Sequence, residues 1–357
     1  MKGQQLPSLN GWRAVGILLV LGCHTTLMKS FPMSNPSLLR VVFDSDLGVR
    51  FFFGISGFLI TWLMLKEEIE FSQFSLKNFY IRRTLRIWPV YLTYVFLLGL
   101  LQFSGIARQH EYAWRGLLTF TRNFYDEQLV LDESTGSRND GVSVHCWSLS
   151  IEEQFYLFWP LAFYFLRARG RIWFLVSMIL ISAGFRTILM LGFYDVHFHV
   201  LFQGHSTFVY LDCLGWGCLG AFWFVARKAD LVKLFERHGS IIASISISMI
   251  LIPCVAGLGR GVQALGFMGL LLHSVISPNW GLYRILNFKW MNRIGVLSYS
   301  LYIWQEIVWV MWPASLRAVW FFWIPVTFGI SWISYEFLEK PFLTLRAKFR
   351  DTRHLAR

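Results

Sequence analysis

The sequence predicts an all-α polytopic membrane protein. Of its 357 residues, 55% are hydrophobic and only 15% are charged, which is too few charged residues for a soluble protein of this length. The mean hydropathy is +0.48. Seventeen Trp and 34 Phe residues add to the prediction, because aromatic side chains anchor transmembrane helices at the headgroup level.

The apolar residues fall into long stretches. A hydrocarbon layer of about 30 Å requires roughly 20 apolar residues per helix, so we expect about ten transmembrane helices. They lie at 12–30, 47–65, 87–105, 146–166, 172–192, 207–226, 240–258, 262–280, 295–313 and 319–338.

The basic residues predict the orientation. If the N-terminus is cytoplasmic, 23 of the 33 Lys and Arg residues lie on the cytoplasmic side, so both termini are predicted in the cytoplasm. The same distribution accounts for the net charge of +12, and we expect membrane lipids as partners and no nucleic acid. Residues 1–345 are predicted to form one transmembrane domain, and 346–357 a basic tail that faces lipid headgroups.

Ionisable side chains inside a predicted span are costly and therefore informative. Arg13 and His24 in the first span are eleven residues apart, which places them on one helix face about 16 Å apart. A neutral imidazole can accept a proton from a hydroxyl. A packing histidine that bonds to a neighbouring helix is an equally good interpretation of His24 alone.

Two arginines precede the third span. Arg83 and Arg86 share a helix face at i, i+3 spacing on the predicted cytoplasmic side, and their guanidinium groups suit phosphates. Anchoring by the positive-inside rule is the alternative.

The fourth span contains two adjacent carboxylates, Glu152 and Glu153. Ser148, Glu152 and Tyr156 follow one another at i, i+4 spacing on one face. We favour a functional site here over a structural polar network.

The ninth span is also polar, and there Tyr302 shares a face with Tyr299 and Glu306, with Gln305 adjacent. Asp212 and His273, in the sixth and eighth spans, fit a structural role as well as a functional one.

The cysteines show neither metal-ligand spacing nor a disulfide framework, and we expect no metal. They are Cys23, Cys146, Cys213, Cys218 and Cys254.

Taken in order, these motifs resemble those of the acyltransferase-3 family of integral-membrane acyltransferases, over nearly the whole chain. The matching elements are LNGWRAV with His24, GVRFFFGISGFLIT, RRTLRIWPVY, WSLSIEEQFYLFWP, the glycine-flanked Asp212, LSYSLYIWQ and the final Glu336/Glu339-Lys-Pro segment.

The resemblance implies roles for these residues. His24, separated from Arg13 by ten residues, would be catalytic, with Glu152 and Glu153 acting beside it or in the helix network. Arg13, Arg83 and Arg86 would bind cytoplasmic acyl-CoA, most simply acetyl-CoA. The substrate-binding positions would be Ser148, Tyr156, Tyr302 and Gln305.

The implied reaction is O-acylation of a cell-surface glycan or a lipid-linked sugar at the bacterial cytoplasmic membrane. We expect it to be completed within the membrane domain. Three positions depart from the family pattern: Asn10 replaces an aspartate, Gly54 replaces a valine, and Gln305 stands where many members carry a histidine.

A transporter or flippase for a small anion or a lipid-linked sugar is the competing hypothesis, because buried Arg, His and Glu residues suit transport too. Consumption of the acyl-CoA thioester separates the two, since only an acyltransferase releases free CoA.

The charge distribution makes a testable prediction about the loop at 107–145, which should lie outside the cell. A cysteine introduced at 130–140 should react with a membrane-impermeant thiol reagent in intact cells, whereas one at 227–237 should not. Protection of the first cysteine, or labelling of the second, contradicts the orientation.

Overall fold

The computed structural model describes residues 6–27, 39, 42–107, 109–125, 142–192, 205–251, 259–311 and 321–349. Within these ranges the chain is helical and contains no strand, which confirms the predicted all-α class. The helices are α1 (Leu9–Leu27), α2 (Ser45–Phe71), α3 (Leu76–Phe103), α4 (Glu111–Thr119), α5 (Cys146–Phe165), α6 (Ala168–Leu191), α7 (Thr207–Ala226), α8 (Lys228–Leu251), α9 (Gly259–Ile276), α10 (Gly281–Leu286), α11 (Lys289–Val310), α12 (Trp323–Ser334) and α13 (Lys340–Lys348), with a π-helical segment at Tyr335–Glu339.

Each of the ten predicted spans overlaps one of these helices. By length and composition, five helices of the described chain could cross a membrane: α2, α3, α6, α7 and α8. The number of spans and the cytoplasmic termini stay predictions. Residues 126–141 of the predicted outer loop and the end of the tail, 350–357, lie outside the described residues.

The helices α3 and α8 begin about eleven residues before the apolar stretches that predicted them. Their first turns carry charged residues, which form helix readily even though they cannot enter lipid. Helix α3 is capped by Ser75, whose side chain accepts a hydrogen bond from the Asn78 N–H.

Two compact units make up the chain, each built from separate segments. The first comprises 1–22, 41–74 and 162–296, and the second comprises 23–40, 75–161 and 297–357. The prediction of one domain over 1–345 stays a prediction.

An aromatic cluster lies at the core of the first unit. The rings of Phe51 and Phe267 stack with centroids 4.1 Å apart, and Trp12 meets both edge-on. All three are at least 95% buried. The rings join α1, α2 and α9.

Glycines bring α2 and α7 into backbone contact in this unit. A Cβ at Gly57 would overlap the Leu214 carbonyl, and one at Gly217 would overlap the Gly54 carbonyl. The small residues Gly54, Ser56 and Gly57 of the second span predict close packing with a neighbouring helix, and the structure confirms it.

The second unit is joined by tyrosine hydroxyls that donate to backbone carbonyls. Tyr91 donates to Leu117 (2.7 Å), Tyr94 donates to Val142, and Tyr299 donates to Ile87 (2.7 Å). These bonds connect α3 with α11, with α4 and with Val142, which precedes α5.

Substituting Gly217 tests the contact between α2 and α7. Gly217→Ala should lower the melting temperature in detergent, because the added methyl group overpacks the interface at a cost of about 1–3 kcal/mol. Gly184→Ala is the matched control, since nothing lies within 4 Å of a Cβ at this helical glycine. It should leave the melting temperature unchanged or raise it. Equal effects of the two substitutions would contradict the close approach.

Candidate active site

His24 lies in the last two turns of α1, with 16% of its side chain exposed. Its Nδ1 atom is 2.5 Å from Oε1 of Gln305 and 3.9 Å from Oε2 of Glu306. The Gln305 amide donates from Nε2 to the same Glu306 oxygen at 3.2 Å. Nδ1 of this partly exposed imidazole is therefore hydrogen-bonded to a residue of α11.

Trp309, one turn further along α11, contacts His24 in two ways. Its ring stacks on the imidazole with centroids 5.1 Å apart and planes 25° apart. Its Nε1 also donates to the His24 carbonyl at 2.9 Å. The backbone and the ring plane of His24 are thus both held by the helix that holds Nδ1.

A second contact joins α5 to α11. The hydroxyls of Ser148 and Tyr302 are 2.5 Å apart, and Tyr302 donates to the carbonyl of His145 at 2.9 Å. The His145 ring is buried and lies edge-on to Tyr302, with centroids 5.5 Å apart. Two predicted substrate-binding residues therefore contact each other.

Further along α5, Tyr156 donates to Oε2 of Glu152 at 3.0 Å, as their i, i+4 spacing predicted. The Arg83 guanidinium lies 4.6 Å from the centre of the Tyr156 ring, within the range of a cation–π interaction. It is close enough to Glu152 and Glu153 for their charges to act on it. Glu153 also bonds to Trp88.

Arg83 and Arg86 keep their N–H donors uncommitted. Both are half-buried, and within the described chain neither forms a hydrogen bond or an ion pair. Arg171 differs, because it donates to both carboxylate oxygens of Glu68 at 2.7 and 2.8 Å.

Arg13 and His24 both lie on helix α1. The predicted site residues of the second unit form two groups. His24 and Gln305 make the first. The second runs along α5 and includes Ser148 with Tyr302, Glu152 with Tyr156, and Glu153 and Arg83.

Three residues in this region were not selected from the sequence as site residues: His145, Glu306 and Trp309. Glu306 and Trp309 lie one and four positions after Gln305 on α11. The polarity of the ninth span was the signal for Glu306, but an isolated Trp in a membrane helix predicts only an anchor.

Asp212 pairs with Arg186 within the first unit. Nη2 of Arg186 is 2.6 Å from Oδ2 of Asp212, and Ser182 bonds to both side chains. The two charged side chains are only 4% and 1% exposed. His273 stacks between Phe235 and Trp280. These contacts support the structural interpretation of Asp212 and His273.

A further charged network in this unit was not predicted. Arg50, only 2% exposed, lies 3.4 Å from Asp44 and 3.3 Å from Asp46 and donates to Gln263. Asp46 also accepts from the Tyr210 hydroxyl at 2.8 Å. The clustering depends on α2, α7 and α9 beginning near one another, which spacing along the chain does not reveal.

Within the described ranges, no group of three or more His, Cys, Asp or Glu residues is placed to hold a metal ion.

Comparison with known proteins gives consistent matches. The peptidoglycan O-acetyltransferase OatA of Listeria monocytogenes is 28% identical over 366 residues, covering 94% of this chain and 55% of that protein. The O-acetyltransferase OatA of Staphylococcus aureus is 29% identical over 367 residues, covering 94% and 57%. The chain thus spans a little over half the length of these relatives. No solved structure matches it.

The family model for the acyltransferase domain matches residues 6–336. This range contains every candidate site residue, from Arg13 to Gln305. The chain belongs to the acyltransferase-3 family, as the order of its motifs predicted.

Proposed function

We propose that this protein is a membrane-bound O-acyltransferase, which moves an acetyl group from cytoplasmic acetyl-CoA to a hydroxyl of a cell-surface glycan or a lipid-linked sugar. The observation that carries the proposal is the accessible imidazole of His24, oriented by α11. The O-acetyltransferase names of the relatives support the acetyl group and a glycan acceptor. The bacterial cytoplasmic membrane is the proposed location.

The proposed donor site uses the uncommitted arginines. A guanidinium that already pairs with a carboxylate, as Arg171 does, has fewer donors for a ligand. Arg83 rests on an aromatic face instead and can offer its N–H groups to the phosphates of CoA. Arg86 lies one turn away, and Arg13 is the third proposed contact with the donor.

The proposed chemistry begins when His24 accepts the proton of the acceptor hydroxyl through Nε2. The hydroxyl oxygen attacks the thioester carbonyl carbon, the carbon–sulfur bond breaks, and the CoA sulfur leaves. The imidazolium then returns the proton to that sulfur, which regenerates His24 and releases CoA with a free thiol.

The face of α5 is the proposed acceptor side. Ser148, Glu152 and Tyr156 present a hydroxyl, a carboxylate and a phenol over two helical turns, about 12 Å. Glu153, Tyr302 and Gln305 complete the set. Such groups bind polyhydroxylated ligands by exchanging hydrogen bonds with sugar hydroxyls.

The donor site is tested by Arg83→Ala and Arg86→Ala. Each should raise the KM for acetyl-CoA, because loss of an Arg–phosphate bond costs about 1.5–3 kcal/mol, or roughly 10- to 150-fold. The measurement is CoA release by purified protein in lipid vesicles. Arg169→Ala, at an exposed arginine, is the control and should keep the wild-type KM. An unchanged KM in both variants would indicate that Arg83 and Arg86 serve as membrane anchors.

The base is tested by His24→Ala and His24→Gln. Both should reduce acetyl transfer about 10²- to 10⁴-fold, because neither side chain can take the proton. Donor binding and the melting temperature in detergent should stay near wild type. His238→Gln, at an exposed histidine, is the matched control and should retain full activity.

Substantial turnover by His24→Gln would make His24 a packing residue and would direct the search for the base to Glu152 and Glu153. A wild-type protein that moves a sugar or an anion without releasing CoA would establish the transporter instead.

A further inference from the structure

The amide of Gln305 lies between two neighbours. Its nitrogen lies 3.2 Å from Oε2 of Glu306, and its oxygen lies 2.5 Å from Nδ1 of His24. This orientation suits an ionised Glu306, because an ionised carboxylate accepts hydrogen bonds and donates none. The reversed amide would place two acceptor oxygens against each other.

This orientation determines the tautomer of His24. Because the amide oxygen only accepts, the proton of the contact must lie on Nδ1. A neutral imidazole carries one N–H, so Nε2 holds the lone pair. The structure therefore leaves the nitrogen that is not held by α11 as the basic one.

Glu306 contributes charge as well as orientation. Its carboxylate oxygen is 3.9 Å from Nδ1, and its side chain is only 7% exposed. The imidazolium that forms when Nε2 takes a proton is stabilised by a negative charge at that distance, more strongly where water is scarce. Gln305 stands between the two groups and links them by hydrogen bonds.

We propose that Gln305 and Glu306 are positioning residues that hold His24 in its Nδ1–H tautomer, with Nε2 directed to the acceptor hydroxyl. In this proposal Gln305 orients the base His24, in place of the substrate-binding role first expected of it. The assignment of His24 as the base rests on the proposed function. The hydrogen bonds that join His24, Gln305 and Glu306 do not depend on it.

Three variants test the hydrogen-bonded series of His24, Gln305 and Glu306. Gln305→Leu removes the acceptor for Nδ1–H, and Glu306→Gln removes the charge. The double variant Gln305→Glu with Glu306→Gln exchanges the two groups. In the exchanged pair the carboxylate at 305 accepts from Nδ1–H and the amide at 306 donates to that carboxylate. Nδ1–H therefore keeps an acceptor and the carboxylate keeps a donor, and only the bond between positions 305 and 306 reverses its direction.

The first measurement is CoA release, resolved into kcat and KM. Gln305→Leu and Glu306→Gln should each lower kcat roughly 10- to 100-fold, which corresponds to one hydrogen bond to a charged group. The KM for acetyl-CoA should not change, and the exchanged pair should recover most of kcat. Glu336→Gln, which removes a carboxylate paired with Lys340 at the surface, is the control and should keep the wild-type kcat.

The second measurement does not depend on turnover. Diethyl pyrocarbonate reacts with an unprotonated imidazole nitrogen, and mass spectrometry of the His24 peptide gives the rate. Wild type and the exchanged pair should react faster than Gln305→Leu, because only this variant lacks the acceptor that holds Nδ1–H and leaves Nε2 as the free nitrogen. Glu306→Gln keeps that acceptor and should react at close to the wild-type rate.

The proposal is overturned if both single variants keep the wild-type kcat and Gln305→Leu keeps the wild-type reaction rate, or if the exchanged pair is folded and its kcat is as low as theirs. If wild type releases no CoA, the proposed function fails. The rates at which diethyl pyrocarbonate modifies His24 then test only whether Gln305 and Glu306 hold the His24 tautomer.

Discussion

Each charged or polar group within an apolar layer costs several kcal/mol unless it finds a partner there, and this constraint organises both units of the protein. Arg186 and Asp212, both nearly fully buried, form a 2.6 Å ion pair. Outside the predicted spans, Arg171 donates to both carboxylate oxygens of Glu68. Arg83, which precedes the predicted third span, rests on an aromatic ring in place of such a carboxylate.

Arg83 illustrates how an aromatic ring differs from a carboxylate as a partner. The Tyr156 ring attracts the cation through its π face and leaves the N–H groups in the guanidinium plane available. The Tyr156 hydroxyl is turned to Glu152, so one tyrosine serves both the arginine and the carboxylate. An arginine can therefore be half-buried while its N–H groups stay available as hydrogen-bond donors.

Much of the fold and part of the site could be predicted from the sequence, because these features repeat locally. Apolar stretches long enough for a membrane predicted the positions of ten helices, and i, i+4 spacing predicted the contact of Glu152 with Tyr156. The small residues of α2 predicted a close approach, though not that α7 would be the neighbour.

Contacts between distant segments could not be predicted from local sequence patterns. Gln305 lies 281 residues after His24, and nothing in either segment indicates that they meet. The partner of Asp212 could not be predicted for the same reason, because nothing in the sequence around Arg186 indicates that α6 and α7 meet at this point. Which residue pairs with which depends on how the helices pack, and one sequence does not record that packing.

Helix α11 supplies all the contacts with His24 described above within little more than one turn, at positions 305, 306 and 309. Since each residue advances a helix by about 100°, a modest axial rotation of α11 would withdraw the amide, the carboxylate and the indole together. The rotation of this one helix about its axis therefore determines all three contacts of the His24 imidazole at once.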